Sequence, residues 1–97
     1  MSKTIVGLCT IEFYLPGLAS LKEKRGVLKS LLARMHNTFN VSAAEVDRQD
    51  SWQSAIVAVA CVGNSSAHAH QVIESVLKWL EKHYPEAMVV SHEVEIL

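Results

Sequence analysis

Apolar and polar positions along this chain change period several times, and each change marks an element. Residues 4–15 alternate with period two: Ile5, Gly7, Cys9, Ile11 and Phe13 are wholly apolar, whereas Val6, Leu8, Thr10, Glu12 and Tyr14 turn polar midway. That alternation predicts a strand with the first set on a covered core and the second on a more open face. Gly7 and Cys9 are small enough to let a helix approach closely. Pro16-Gly17 predicts a turn, Pro presetting φ and Gly accepting a positive φ after it.

From Ser20 the period becomes helical. Ser20 followed by Glu23 is a capping box, which starts a helix at Leu21. Leu21, Leu28, Leu31, Leu32, Met35 and Phe39 share one face, so residues 21–39 form an amphipathic helix. Residues 41–47 and 52–62 read as strands joined by the short polar loop RQDS, a hairpin. Gly63 to Ser66 breaks the chain and supplies a cap. A second helix over 67–83 carries Val72, Ile73, Val76, Leu77 and Leu80 on one face, and Tyr84-Pro85 stops it. AMVVSHEVEIL closes as a strand with Glu93 and Glu95 on one parity. The order β-α-β-β-α-β predicts a ferredoxin-like α/β (α+β) domain: a four-stranded antiparallel sheet with both helices on one face and the first and third strands central. The two most apolar strands fall at those central places.

Composition narrows the function classes. Ninety-seven residues with 49% hydrophobic content make one globular domain. The net charge is −1, so any attraction to nucleic acid or membrane must be local. Five of the nine Lys and Arg residues lie between Lys22 and Arg34. Cys9 and Cys61 sit in apolar runs and predict buried free thiols in a reducing compartment. The amino-terminal stretch has neither a signal-peptide cleavage site nor the length to span a bilayer, so the expectation is a cytoplasmic protein with no membrane partner.

The cations of LPGLASLKEKRGVLKS carry the main chemical candidate. At 100° per residue, Lys22, Arg25 and Lys29 fall within an arc of about 60° and form one stripe that His36 continues. Lys24 points between Leu28 and Leu31, into the apolar arc, where it would reach the LPG turn or snorkel outward. Cations at a helix start oppose the helix dipole, which makes their concentration there notable. Lys22, Lys24, Arg25 and Lys29 are therefore candidates for binding an anion or an RNA backbone. The plainer alternative is a solvated helix face.

Other constellations are weaker. Arg48, Gln49, Asp50 and Trp52 on the hairpin have the composition of a protein-interaction hot spot, against the simpler role of Trp52 as a cap on the core edge. The open sheet face lacks the paired aromatics of an RNA-stacking platform, and its apolar Val6 and Leu8 predict cover by another protomer or partner, with a homodimer expected. His68 and His70 diverge by 200° on a helix and cannot chelate one ion, so no metal or cofactor is expected. Acylphosphatases share this architecture, but LPGLAS has one Gly and a Pro that removes an N–H, and Arg25 lies within the helix rather than in the loop. Glu12, Glu93 and Glu95 on one sheet face read as solvated acids rather than a catalytic pair. No catalytic residue is expected.

SLKEKR, followed by FNVS-AEV, QD-WQ-A and a terminal VEIL, resembles the bacterial YlxP-like family (DUF503), a domain of unknown function, over essentially the whole chain. The resemblance implies a ferredoxin-like fold and a genomic association with translation-initiation and ribosome-assembly factors, and it implies no enzyme activity. Gly26 departs from the bulkier, basic or polar residue usual after EKR. Together these expectations describe a non-enzymatic binding protein whose partner is ribosomal RNA or a ribosome-assembly factor. The alternative is a protein-interaction module that uses the open sheet face or the hairpin.

Overall fold

The structure is a computed structural model that describes residues 3–97. Its elements are β1 (Ile5–Tyr14), α1 (Leu21–Thr38), β2 (Ser42–Asp47), β3 (Ser54–Gly63), α2 (Ser66–His83) and β4 (Met88–Ile96). The strands form one antiparallel sheet in the order β2-β3-β1-β4, so β1 and β3 are central. This is the ferredoxin-like architecture.

Alternation along β1 and β3 separates the two sheet faces. Cys9, Ile11 and Phe13 on β1, with Ala55, Val57, Val59 and Cys61 on β3, are buried beneath the helices. They meet Leu28, Leu31 and Met35 of α1 and Ala69, Ile73, Val76 and Leu80 of α2. Both thiols are free and buried, and burial raises that of Cys9 above its ordinary value. Gly7 performs the close approach that its size predicts. A Cβ there would lie 2.9 Å from Ala69 Cβ and 3.0 Å from Cys61 Sγ.

Both helix starts are capped. Ser20 Oγ accepts from the Glu23 amide at 3.1 Å, and Glu23 Oε2 accepts from Ala19 N–H at 2.7 Å, one residue before the position a standard capping box uses. Ser65 caps α2 by accepting from His68 N–H at 3.3 Å. A lock that the hydrophobic pattern does not show joins the helices. Arg34 stacks over Tyr84 at 5.2 Å and Trp79 at 5.9 Å and donates to the Tyr84 hydroxyl, while Phe39 meets Trp79 edge-on.

The sheet edges are interrupted. Val46 is an extra residue in β2 and Val90 in β4, each placed at a shift in register. On the β2 edge the Ala43 amide donates to His36 Nε2 at 3.1 Å. Bulges and a capped donor blunt an edge against pairing with another strand.

Two local expectations are corrected. The hairpin loop extends through Gln53, so Trp52 lies in a bend rather than in β3. None of the glycines of the described residues has positive φ, so the Pro16-Gly17 turn closes without it. Among non-glycine residues, the left-handed position is Arg48, at φ 61°.

Candidate functional site

Two surfaces carry the candidate residues: the outer face of α1 and the hairpin between β2 and β3. Lys24 connects them. It is 1% exposed, and its ammonium donates to Arg48 O and Ser51 O, each at 2.6 Å. Glu45 Oε2 lies 2.7 Å away, off the hydrogen-bonding direction, so that contact is charge pairing. Glu45 stands on the helix side of β2, opposite the buried Val57, which brings its carboxylate beneath the first turn of α1. The inward direction of Lys24 agrees with its helical position, but its target is the hairpin and not the LPG turn. An ammonium has three donors. Two carbonyls accept from it and a carboxylate pairs with its charge, and Lys24 is thereby set apart from the exposed cations.

Arg48 is held from both faces of the sheet. Its carbonyl accepts from Lys24 on the helix side and also from the Ser51 amide at 3.0 Å, which closes the turn. Its guanidinium reaches the open side, where Nη1 donates to Glu12 Oε2 at 2.5 Å and to Ser54 Oγ at 2.8 Å. Ser91 Oγ donates to the other Glu12 oxygen at 3.1 Å. The left-handed backbone of Arg48 lets one residue serve both layers, and Asp47 Oδ1 accepts its N–H at 2.7 Å.

The hydrogen bond from Arg48, then that from Ser91, and then the Arg48 charge hold the Glu12 carboxyl below the ordinary glutamate value. A depressed folded-state value means that this contribution is present above the ordinary carboxylate range and is lost as pH falls through the depressed value. A carboxyl titration followed by NMR is expected to give Glu12 a midpoint below that of an ordinary glutamate, and Arg48→Ala is expected to return it. An unchanged midpoint in Arg48→Ala would show that the guanidinium does not set it.

The loop before α1 has little room for an anion cradle. Leu15 N–H donates to Gln53 O, Leu18 N–H to Leu15 O and Ala19 N–H to Glu23, while Pro16 has none. By contrast, the outer face of α1 is free. Lys22, Arg25 and Lys29 are exposed, and among the described residues none has a carboxylate at ion-pairing distance. Glu23, the one acid of α1, is committed to the Ala19 amide. The His36 ring is engaged with β2, where its Nε2 accepts from Ala43 N–H.

The remaining hairpin residues are presented outward. Gln49 and Asp50 are exposed and Trp52 is 49% exposed, so Trp52 does not cap the core. On the open sheet face the register aligns Leu8 with Glu95, Thr10 with Glu93 and Glu12 with Ser91. The centre of that face is aliphatic, with Leu8 paired to Ala60 and Glu12 to Ile56. Of the candidate aromatics, Phe13 is buried on the helix side and Tyr14 stands at the sheet end, so no pair of rings lies across the central strands. Among the described residues no three His, Cys, Asp or Glu side chains are grouped for a metal, and no helix is long and apolar enough to cross a membrane.

The Lys24 clamp and the outward reach of Arg48 join residues far apart in sequence, and periodicity marks only the inward direction of Lys24. The chain is 37% identical over 82 residues to the uncharacterized protein YlxP of Bacillus subtilis (strain 168), covering 84% of this chain and 88% of that one. In fold it is similar to the de novo designed protein Foldit4, with a TM-score of 0.56 at 16% identity over 98% of this chain and 97% of that one. The model of the protein family of unknown function DUF503 matches residues 6–94, and the chain belongs to that family.

Proposed function

We propose that this protein is a non-enzymatic binding protein that engages the phosphate backbone of RNA through the outer face of α1. The observation that carries this reading is the unneutralised stripe of Lys22, Arg25 and Lys29, whose only neighbouring helix acid is spent on the cap. Seven residues of helix separate the first cation from the last, about 10 Å along the axis, so the three present one line of charge. Lys22, in the first turn of α1, weakens the helix by roughly 0.3–1 kcal/mol, a cost that a bound polyanion would reverse. Phosphate contacts of this type position a protein without reading sequence. The genomic association with translation-initiation and ribosome-assembly factors that the family resemblance implies makes ribosomal RNA the first candidate.

The charge distribution supports a single orientation. Glu93 and Glu95 face outward on the opposite side of the sheet, where they repel a polyanion. The occupied amides of the β1–α1 loop weigh against a phosphate-hydrolysing site of the acylphosphatase type.

Fluorescence anisotropy with a labelled single-stranded RNA, read across a salt series, tests the assignment. The variant K22A/R25A/K29A is expected to bind about tenfold more weakly and to reduce the slope of log affinity against log salt by about 2, from three lost contacts at ~0.7 each. All three positions are exposed, so the fold is expected to survive. Equal affinity and equal slope in the variant would reject the RNA reading.

A further inference from the structure

On the side of the molecule away from the α1 cations, we propose that the open sheet face docks an amphipathic segment of another protein, one whose apolar stripe is flanked on one side by Lys or Arg. This site is separate from the RNA reading and does not depend on it. The register defines its composition. Val6 and Leu8 of β1 pair with Val62 and Ala60 of β3, and Ala58 pairs with both Thr10 and Ala44. Val6, Leu8, Ile56, Ala58 and Ala60 are half-buried, and Val62 is 69% exposed. The two central strands thus leave a continuous aliphatic surface without a second layer, although on the other face the same two strands are buried beneath the helices.

Charge selects the occupant. Along β4, Glu95 stands beside Leu8 and Glu93 beside Thr10, both exposed and without a cation at pairing distance among the described residues. The cation that reaches this face, Arg48, is bound to Glu12. An apolar surface with one acidic flank matches an apolar stripe with one basic flank. A nucleic acid or an anionic membrane would meet uncompensated carboxylates. A second copy placed face to face would bring Glu93 and Glu95 to a surface where Arg48 is already paired with Glu12. A second copy placed with α1 on this face would bring the right charge without the apolar stripe, because the outer side of α1 carries Lys22, Gly26, Lys29 and His36. Extension of the sheet by another copy's edge strand is opposed by the bulges at Val46 and Val90.

The dimensions fit a helix. From Val6 to Glu12 the strand advances about 20 Å, the length of a helix of roughly 13 residues. Such a helix would form a third layer across the sheet, with its basic flank along β4. This is the helix-in-groove mode of recognition applied to a sheet surface.

Two labelled 14-residue peptides test the proposal. Both carry Leu and Ile at helical spacing; one has Lys along a single flank and the other has Glu at the same places. The Lys-flanked peptide is expected to bind at least tenfold more tightly, with amide shift changes confined to β1, β3 and β4. The E93K/E95K variant, altered only at exposed positions, is expected to invert that preference. A58R is expected to abolish binding of both peptides, and K22A/R25A/K29A to leave both unchanged. The proposal is overturned if the two peptides bind alike, if E93K/E95K keeps the original preference, or if the shift changes map to the helices. Sedimentation of the free protein as a dimer that A58R or E93K/E95K dissociates would equally overturn it, by giving the face to a second copy.

Discussion

Lys24→Met is expected to destabilise the domain by about 3 kcal/mol, the low end of the range for breaking a buried ion pair. The low end applies because the Glu45 side chain keeps 19% of its exposure and can draw on some water. Three groups lose the ammonium at once. Arg48 O retains the Ser51 amide, but Ser51 O and the Glu45 carboxylate lose the ammonium, and the carboxylate is the costly one. In a domain of this size the loss corresponds to a drop in Tm of more than about 10 °C. Urea unfolding of K24M, E45L and K24M/E45L measures it as a double-mutant cycle. The double variant is expected to recover most of the stability, since it removes the orphaned charge together with its partner. A loss below about 1 kcal/mol in K24M would show that the clamp contributes little. Under conditions where K24M remains folded, its RNA affinity is expected to match that of the unaltered protein, because its ammonium faces the hairpin and not solvent.

Gly7→Val is the second large effect, expected at about 3 kcal/mol through overpacking. A single Cβ would already sit 2.9 Å from Ala69 Cβ, 3.0 Å from Cys61 Sγ and 3.3 Å from Ile73 Cδ1, before two more methyl groups are added. Valine is otherwise favourable in a central strand, so propensity and packing oppose each other here, and packing decides. The rescue is directional. Ala69→Gly costs about 1 kcal/mol as a helix substitution, yet in that background Gly7→Val is expected to cost clearly less than it does alone. Equal costs in both backgrounds would mean that the spacing between β1 and α2 is not set by this contact.

These two positions also show what the sequence makes legible. Gly7 falls on the apolar parity of an alternating strand, and its need for a close helix follows from the residue type alone. Lys24 falls in the apolar arc of α1, so its inward direction follows from 100° per residue. Its destination does not, because Glu45 and the Arg48 turn are brought to it by a hairpin whose register no local pattern specifies. The Ser20 cap and the helix faces are local or periodic properties, and the structure carries them as expected, although the Glu23 carboxylate reaches the Ala19 amide instead of that of Ser20. The positive φ is the instructive miss. Glycine in the Pro16-Gly17 turn is the obvious candidate, whereas Arg48 takes that conformation where tertiary hydrogen bonds hold it from both sides. The binding surfaces follow the same division. The stripe of Lys22, Arg25 and Lys29 is visible in spacing, while the alignment of Glu93 and Glu95 beside Leu8 depends on pairing between the first and last strands.

The burial of Lys24 has a kinetic consequence as well. Its amine is covered by the same hairpin that it holds, so it becomes exposed to reagents only when β2–β3 swings away from the first turn of α1. Lys22 and Lys29, on the same helix, stay open throughout. The ratio of acylation rates at these lysines therefore reports how often the hairpin opens, with the neighbours serving as internal standards for intrinsic reactivity. The protein thus carries, in its own lysines, a clock for the opening of the hairpin.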